Sequence, residues 1–163
     1  MAQQKIVPNL WFDSQAEEAA HYYIDVFGEG RVLSVARYPE GAPGPVGSVM
    51  SVEFELAGQR FVGINGGPQF PFTEAVSFQI DCADQSEVDR YWDRLVGDGG
   101  EESECGWLKD RYGLSWQVVP AGMDELFADP DPSRAQRSVQ ARLGMRKLDL
   151  AALRAAADGV PVG

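Results

Sequence analysis

The sequence predicts an α+β fold with two βαβββ modules, over residues 5–66 and 75–120, and a helical tail over residues 123–163. In each half, alternating apolar and polar residues indicate strands, and one stretch with apolar residues every three or four positions indicates a helix. The order of these elements repeats along the chain, and the period of the pattern changes after Pro120. We expect the two modules to form one domain over residues 1–122.

The first module opens with a predicted strand over residues 5–12. Asp13 or Ser14 is expected to cap a helix over residues 15–27, which ends at Gly28. Three further strands are predicted over residues 31–38, 47–56 and 59–65.

The second module repeats this order with a predicted strand over residues 75–82. Asp84 or Ser86 is expected to cap a helix over residues 87–96. The remaining strands are predicted over residues 101–105, 107–110 and 114–120. In the tail, prolines and a glycine at the expected ends predict helices over residues 131–143 and 149–157.

Charge limits the classes of partner. The chain has 163 residues, 44% of them hydrophobic, which is typical of a folded domain. Fourteen Lys and Arg against 25 Asp and Glu give a formal net charge of −11, which argues against binding to nucleic acid or anionic membranes. Residues 130–163 carry six basic and three acidic side chains. We therefore expect the tail to lie on the acidic surface of its own or a neighbouring subunit.

The sequence predicts a cytoplasmic protein. No apolar run approaches the ~20 residues that cross a bilayer, and the N-terminal residues lack the layout of a signal peptide. Cys82 and Cys105 are too few for a disulfide framework, so we interpret both as reduced thiols.

Several strands carry a carboxamide on the face that alternation places away from the helices. The candidate ligand-binding residues are Asn9, Trp11, Phe61, Asn65, Gln79, Trp107 and Gln117. If these faces curl into a cup, amides and aromatic rings would line it and could bind a small polar or planar molecule. The alternative is that the amides are solvent-exposed positions of half-buried strands.

The sequence has no recognisable motif for a catalytic triad, a multi-histidine metal site or a phosphate-binding loop. The single histidine, His21, lies within the first predicted helix, so a metal site with two or three histidines is excluded within one chain. A Ser-His-Asp triad would need this same histidine, and the sequence has no GxSxG nucleophile elbow to support one. The glycine run at residues 63–67 follows a strand but is not followed by a helical pattern, which a phosphate-binding loop requires. We expect no metal and no cofactor.

Four segments resemble a known family. They are LWFDSQAEEA at 10–19, GQRFVGINGGP at 58–68, DQSEVDRYW at 84–92 and CGWLKDRYGLSWQVVP at 105–120. These segments resemble PhnB-like proteins of the glyoxalase, bleomycin-resistance and extradiol-dioxygenase superfamily, the vicinal oxygen chelate proteins. Many relatives carry the name 3-demethylubiquinone-9 3-methyltransferase. The likeness extends into residues 129–137 and 147–153.

The resemblance implies paired βαβββ modules that each curl into half of a cup, and a homodimer. Metal-dependent members of the superfamily take His and Glu ligands from strands that face the cup. The matching positions here fall near Pro8 or Asn9, Ile64 or Asn65, residues 75–77, and Gln117. None of them is His, Asp or Glu, and carboxamides are weak ligands for transition metals.

Three functions remain as hypotheses. The first is a cytoplasmic homodimer that binds a small organic molecule in a metal-free cup, with no nucleic-acid or membrane partner. The second, which rests on resemblance to the superfamily, is an isomerase, lyase or transferase that acts on a small oxygenated or aromatic substrate. The third is a dimeric scaffold whose cup is closed by aromatic side chains.

Overall fold

A computed structural model of the protein describes residues 3–161. The chain divides into two compact units, with the boundary along the chain between Phe72 and Thr73. Each unit contains one βαβββ module, which confirms the predicted fold class. No helix within residues 3–161 is long and apolar enough to cross a membrane.

The first unit is a four-stranded sheet with one helix. Its elements are β1 (Asn9–Phe12), α1 (Ala16–Phe27), β2 (Gly30–Arg37), β3 (Val49–Leu56) and β4 (Gln59–Asn65). The strand order is β1-β4-β3-β2, in which β1 and β4 are parallel and the other neighbours are antiparallel. The helix ends where Gly28 adopts a left-handed conformation (φ 67°), as the sequence predicts.

The core of the first unit lies between α1 and one face of the sheet. Tyr23 of α1 is fully buried, and its ring stacks on Phe54 of β3 with 6.5 Å between the ring centroids. Val52 and Leu56, which share a face of β3 with Phe54, are also buried. The alternation of β3 therefore directs its apolar residues towards the helix.

The second unit repeats the arrangement. Its elements are β5 (Ser77–Cys82), α2 (Gln85–Gly97), β6 (Glu101–Glu102), β7 (Trp107–Lys109) and β8 (Ser115–Pro120). The strand order is β5-β8-β7-β6, and β5 runs parallel to β8. Asp84 caps α2 by accepting a hydrogen bond of 2.9 Å from the backbone N–H of Glu87.

The tail forms three helices, α3 (Met123–Phe127), α4 (Pro132–Leu143) and α5 (Leu150–Ala157). The two helices that the sequence predicts are present, whereas α3 has five residues and is too short to show a helical period. The tail belongs to the second unit and packs against the βαβββ module there. Gln85 donates to the carbonyl of Leu148 (2.8 Å) and accepts from the N–H of Leu150 (2.9 Å), and Lys147 forms ion pairs with Asp89 and Asp93.

Candidate functional site

Three of the predicted residues lie side by side in the second sheet. Gln79 of β5 is the register partner of Gln117 of β8, which is in turn the partner of Trp107 of β7. Neighbouring strands are roughly 4.8 Å apart, so these side chains form a continuous row on one face. We call this face, which is opposite α2, the amide face.

Alternation separates the two faces of this sheet as expected. Ile80, Cys82 and Val118 are buried on the α2 side, whereas Gln79 is exposed and Gln117 is half-buried. The row is therefore a polar strip on a sheet whose other face is apolar.

Hydrogen bonds hold the two glutamine side chains in place. The amide nitrogen of Gln117 donates to the hydroxyl oxygen of Ser77 (3.0 Å), one residue pair along the same face. The amide nitrogen of Gln79 donates to a carboxylate oxygen of Asp81 (2.7 Å). A carboxamide that donates to a neighbour keeps an acceptor oxygen, so both can still receive a hydrogen bond from a ligand.

The turn between β7 and β8 sets the register of the row. Asp110 is 3% exposed, and one carboxylate oxygen accepts from the backbone N–H groups of Tyr112 (2.8 Å) and Leu114 (3.1 Å). The other oxygen accepts from the indole N–H of Trp116 (2.9 Å). Asp110 thus connects the turn to β8, the strand that carries Gln117, so the role of Asp110 is structural.

The same face carries an ion pair and two further carboxylates. Lys109 of β7 is bonded to Glu74, and this contact lowers the pKa of the Glu74 carboxyl and raises the pKa of the Lys109 ammonium. Glu101 of β6 is the register partner of Lys109, and Asp81 lies two residues from Gln79. One ammonium against three carboxylates makes the local charge negative, so the face disfavours an anionic ligand.

The tail closes one end of the amide face. Val119 lies on this face, two residues beyond Gln117, yet it is buried in a cluster with Met123, Leu148 and Leu153. The accessible part of the face therefore ends at the row that contains Gln117.

In the first unit, the predicted orientation of β4 is wrong. Phe61 and Asn65 were expected opposite α1, but Phe61 is 8% exposed and stacks on Phe54, with 5.6 Å between the ring centroids. A β-carbon added to Gly63, on the same side of β4, would lie 3.1 Å from the Cβ of Ala16. The absence of a side chain at residue 63 lets α1 approach this side of the strand, so Phe61 belongs to the core.

Asn65 connects three parts of the first unit. Its side-chain oxygen accepts from the backbone N–H of Ala16, the first residue of α1 (2.8 Å), and its side-chain nitrogen donates to the carbonyl of Val49 (3.1 Å). The Tyr38 hydroxyl donates to the backbone carbonyl of Asn65. Asn65 therefore serves the helix N-terminus, where the sequence predicted a cap from Asp13 or Ser14.

Trp11 and Asn9 lie opposite α1, as predicted. The indole N–H of Trp11 donates to the carbonyl of Gly67 (2.9 Å), and its ring meets Phe70 edge-on at 5.0 Å. A β-carbon at Gly66 would lie 2.0 Å from the indole, so the glycine makes room for this packing. Trp11 anchors the loop after β4, and Asn9 is exposed.

Two features of the first unit were not predicted from the sequence. Glu53 and Arg60 form an ion pair of 3.2 Å on the face opposite α1. The alternation of β3, with Val52 and Phe54 buried, could have placed Glu53 there.

The second missed feature is a cleft of about 640 Å³ beside the N-terminus of α1, where Asn65 is one of the lining residues. Its polar lining includes Asp13, Ser14, Glu17, Glu18, Tyr38 and Asn65. The cleft lies beside a loop, residues 43–45, that has no helical or strand period, so its position could not be predicted from the sequence.

The donor set does not fit the metal that other superfamily members bind. Within residues 3–161, no three His, Cys, Asp or Glu side chains come together in an arrangement that could hold a metal ion. The positions that the resemblance aligns with ligands fall near Pro8 or Asn9, Ile64 or Asn65, residues 75–77, and Gln117, and none of them is His, Asp or Glu. The side-chain amide of Asn65 is hydrogen-bonded to the backbone.

Residues 4–119 match the family profile described as 3-demethylubiquinone-9 3-methyltransferase. The match covers both modules and stops near the end of β8, whereas the sequence resemblance was expected to continue into the tail. A search of the curated proteins finds no match to the chain.

Solved structures extend this comparison. A PhnB protein from Bacillus cereus is 35% identical with a TM-score of 0.65, and the alignment covers 72% of this chain and 100% of that one. A protein from Pseudomonas aeruginosa is 20% identical (TM-score 0.59, 72% and 98% covered). The fosfomycin resistance protein FosX from Mesorhizobium loti is 14% identical (TM-score 0.57, 78% and 99% covered), and these last two show the fold alone. The chain therefore belongs to the PhnB-like family described as 3-demethylubiquinone-9 3-methyltransferase, within the glyoxalase superfamily.

Proposed function

We propose that this protein binds a small organic molecule on the amide face of the second sheet, through neutral side chains and without a metal ion. The observation that supports this most is the row formed by Gln79, Gln117 and Trp107 in three neighbouring strands. Two carboxamides beside a half-buried indole offer hydrogen-bond donors, acceptors and a flat apolar surface within one strip.

The rigidity and limited length of the amide face also support the binding of a small ligand. Asp110 fixes the turn that aligns β7 with β8, so the row is positioned before a ligand arrives. A rigid, preformed site spends less binding energy on ordering its side chains. The tail covers Val119 at one end, which limits the length of a molecule that lies along β8.

The description of the family names a methyltransferase, and an enzyme remains the second hypothesis. Glycine-rich loops that hold a nucleotide-like cofactor place their backbone N–H groups at the start of a helix. Here the glycines after β4 pack on Trp11 or lie in a loop, and the next element in the chain is β5. The family description therefore has less support in this chain than ligand binding.

We also propose that the protein is a cytoplasmic homodimer. The support is the family resemblance together with Leu33 and Val35, which are exposed on β2 at an edge of the first sheet. Exposed apolar residues on an edge strand are a common place for a second chain to pack. Sedimentation equilibrium should give twice the chain mass, and a monomer at micromolar concentration would overturn this proposal.

The binding proposal is tested by two-dimensional NMR with a panel of small aromatic fragments that includes benzamide, phenol and catechol. We expect the side-chain amide signals of Gln79 and Gln117 and the indole signal of Trp107 to shift, with the Trp11 indole signal unmoved. Gln117→Ala should weaken the binding of those fragments by about tenfold, which corresponds to one lost hydrogen bond. Asn9→Ala, an exposed amide of the first sheet, is the matched control. A panel that leaves all three signals unmoved would refute the proposal.

A further inference from the structure

The amide face contains a hydroxyl group whose hydrogen-bonding capacity is unused. Ser115 of β8 is 1% exposed, and its Oγ has no hydrogen-bond partner in the part of the chain that the structure describes. Ser115 is the register partner of Ser77 on one side and of Lys109 on the other. Buried hydroxyl groups nearly always have a partner, so this one requires an explanation.

An ion pair lies beside this residue, because Lys109 is the register partner of Ser115 and is bonded to Glu74. The strand order places β8 between β5 and β7, so the ion pair that joins Lys109 of β7 to Glu74, three residues before β5, crosses β8 on the amide face. The Glu74 side chain is 60% exposed. Ion pairs this open to solvent add little to stability, so Glu74 can leave Lys109 at small cost.

The charges on the amide face determine which ligands can accept a hydrogen bond from the Ser115 hydroxyl. When Glu74 leaves, Lys109 still has Glu101 as its register partner, and Asp81 lies on β5, further along the same face. A ligand carboxylate would then be a third negative charge, beside Glu101 and Asp81, against the single ammonium of Lys109. A neutral carbonyl oxygen accepts a hydrogen bond without that penalty.

We propose that Ser115 is a ligand-binding residue whose hydroxyl donates to the neutral carbonyl oxygen of a planar aromatic compound. This inference rests on the proposed function. The row with Gln117 and Trp107 is two residues further along the strands, about 6.6 Å away, which suits an aromatic ring whose carbonyl group points to Ser115. The ligand class is therefore aromatic amides and ketones, and aromatic acids are rejected.

Benzamide and benzoate test this directly, because they have the same shape and differ in charge. We expect wild-type protein to bind benzamide at least tenfold more tightly than benzoate, measured by NMR titration of the Trp107 indole signal. Ser115→Ala should weaken benzamide binding about tenfold and leave the melting temperature unchanged or higher, because it removes an unpaired buried hydroxyl. Glu74→Gln should strengthen benzamide binding a fewfold. Ser86→Ala, an exposed serine of α2, is the control.

The outcomes separate this inference from the proposed function. Equal or tighter binding of benzoate would contradict the proposal that the ligands are aromatic amides and ketones. The same proposal fails if benzamide does not bind while other fragments shift the NMR signals of Gln79, Gln117 and Trp107. If Ser115→Ala leaves benzamide affinity unchanged while Gln117→Ala lowers it, the role of Ser115 is wrong and the binding face stands. A clear drop in melting temperature for Ser115→Ala would show that the hydroxyl already has a partner, such as an ordered water, and would also overturn the inference. If no fragment of the panel shifts the row, the proposed function fails as well.

Discussion

Replacement of Asn65 by alanine separates a structural role from a role in ligand binding. The substitution removes the acceptor for the Ala16 N–H at the start of α1 and the donor to the Val49 carbonyl. A net hydrogen bond contributes about 0.5–1.5 kcal/mol and a helix cap about 1 kcal/mol. We therefore expect Asn65→Ala to lower the free energy of unfolding by about 1.5–2.5 kcal/mol.

The assay is thermal unfolding followed by circular dichroism. For a chain of this length, about 1 kcal/mol shifts the melting temperature by about 2–4 °C, so Asn65→Ala should lower it by about 3–10 °C. Asn65→Asp keeps the acceptor and places a negative charge at the helix N-terminus, so its loss should be smaller. Asn9→Ala, at an exposed position, should cost less than about 0.5 kcal/mol.

The result that would refute this reasoning is a melting temperature for Asn65→Ala within about 1 °C of wild type. Asn65 would then contribute nothing through its two backbone contacts. A loss of ligand affinity at unchanged stability would return Asn65 to the ligand-binding residues that the sequence predicted.

Three further predictions follow from burial. Phe61→Ala should destabilise the first unit by about 3–5 kcal/mol in urea unfolding, because it leaves a cavity in the core, and a loss below about 1 kcal/mol would contradict this placement. Asp110→Ala should cost about 3–5 kcal/mol, since the Trp116 indole and backbone N–H groups lose a buried charged acceptor; near-native stability would contradict its structural role. Burial raises the pKa of Cys82 to about 12, so Ellman's reagent at about pH 8 should react with Cys105 in native protein and with both thiols after denaturation. Rapid native reaction of Cys82 would show that this thiol is accessible.

The second sheet could be predicted from sequence because its strands alternate cleanly. In β5, the residues that face α2 are Phe78, Ile80 and Cys82, while the other set contains a serine, a glutamine and an aspartate. One set is apolar and the other is polar, so burial of the apolar set fixes both faces. The positions of Gln79 and Gln117 follow from that pattern alone.

The first sheet shows where this reasoning fails. In β4, Phe61 lies on one side and Val62 and Ile64 on the other, so hydropathy favours neither orientation. The deciding residue is Gly63, whose missing side chain lets Ala16 of α1 come close. A glycine carries no hydropathy signal, and which helix approaches it depends on the folded chain.

Contacts between residues distant in sequence account for the other differences. The bond that serves the N-terminus of α1 joins Asn65 to a residue 49 positions away, whereas helix-capping rules favour the adjacent Asp13 or Ser14. Likewise, the crossing of β8 by Lys109 and Glu74 depends on the strand order, which one sequence does not give. The positions of the two longer tail helices along the chain could be predicted from the sequence. Their contacts with Gln85 could not, because Leu148 and Leu150 are more than 60 residues away from it.

The most direct test of the central claim is to locate a bound aromatic fragment in protein stripped of metal with EDTA, by intermolecular nuclear Overhauser effects. The account predicts contacts from the fragment to the Trp107 indole and the Gln117 side-chain amide, with the same dissociation constant before and after EDTA treatment. Contacts to Tyr38 in the cleft of the first unit, or binding that disappears with EDTA and returns with added zinc or manganese, would contradict it.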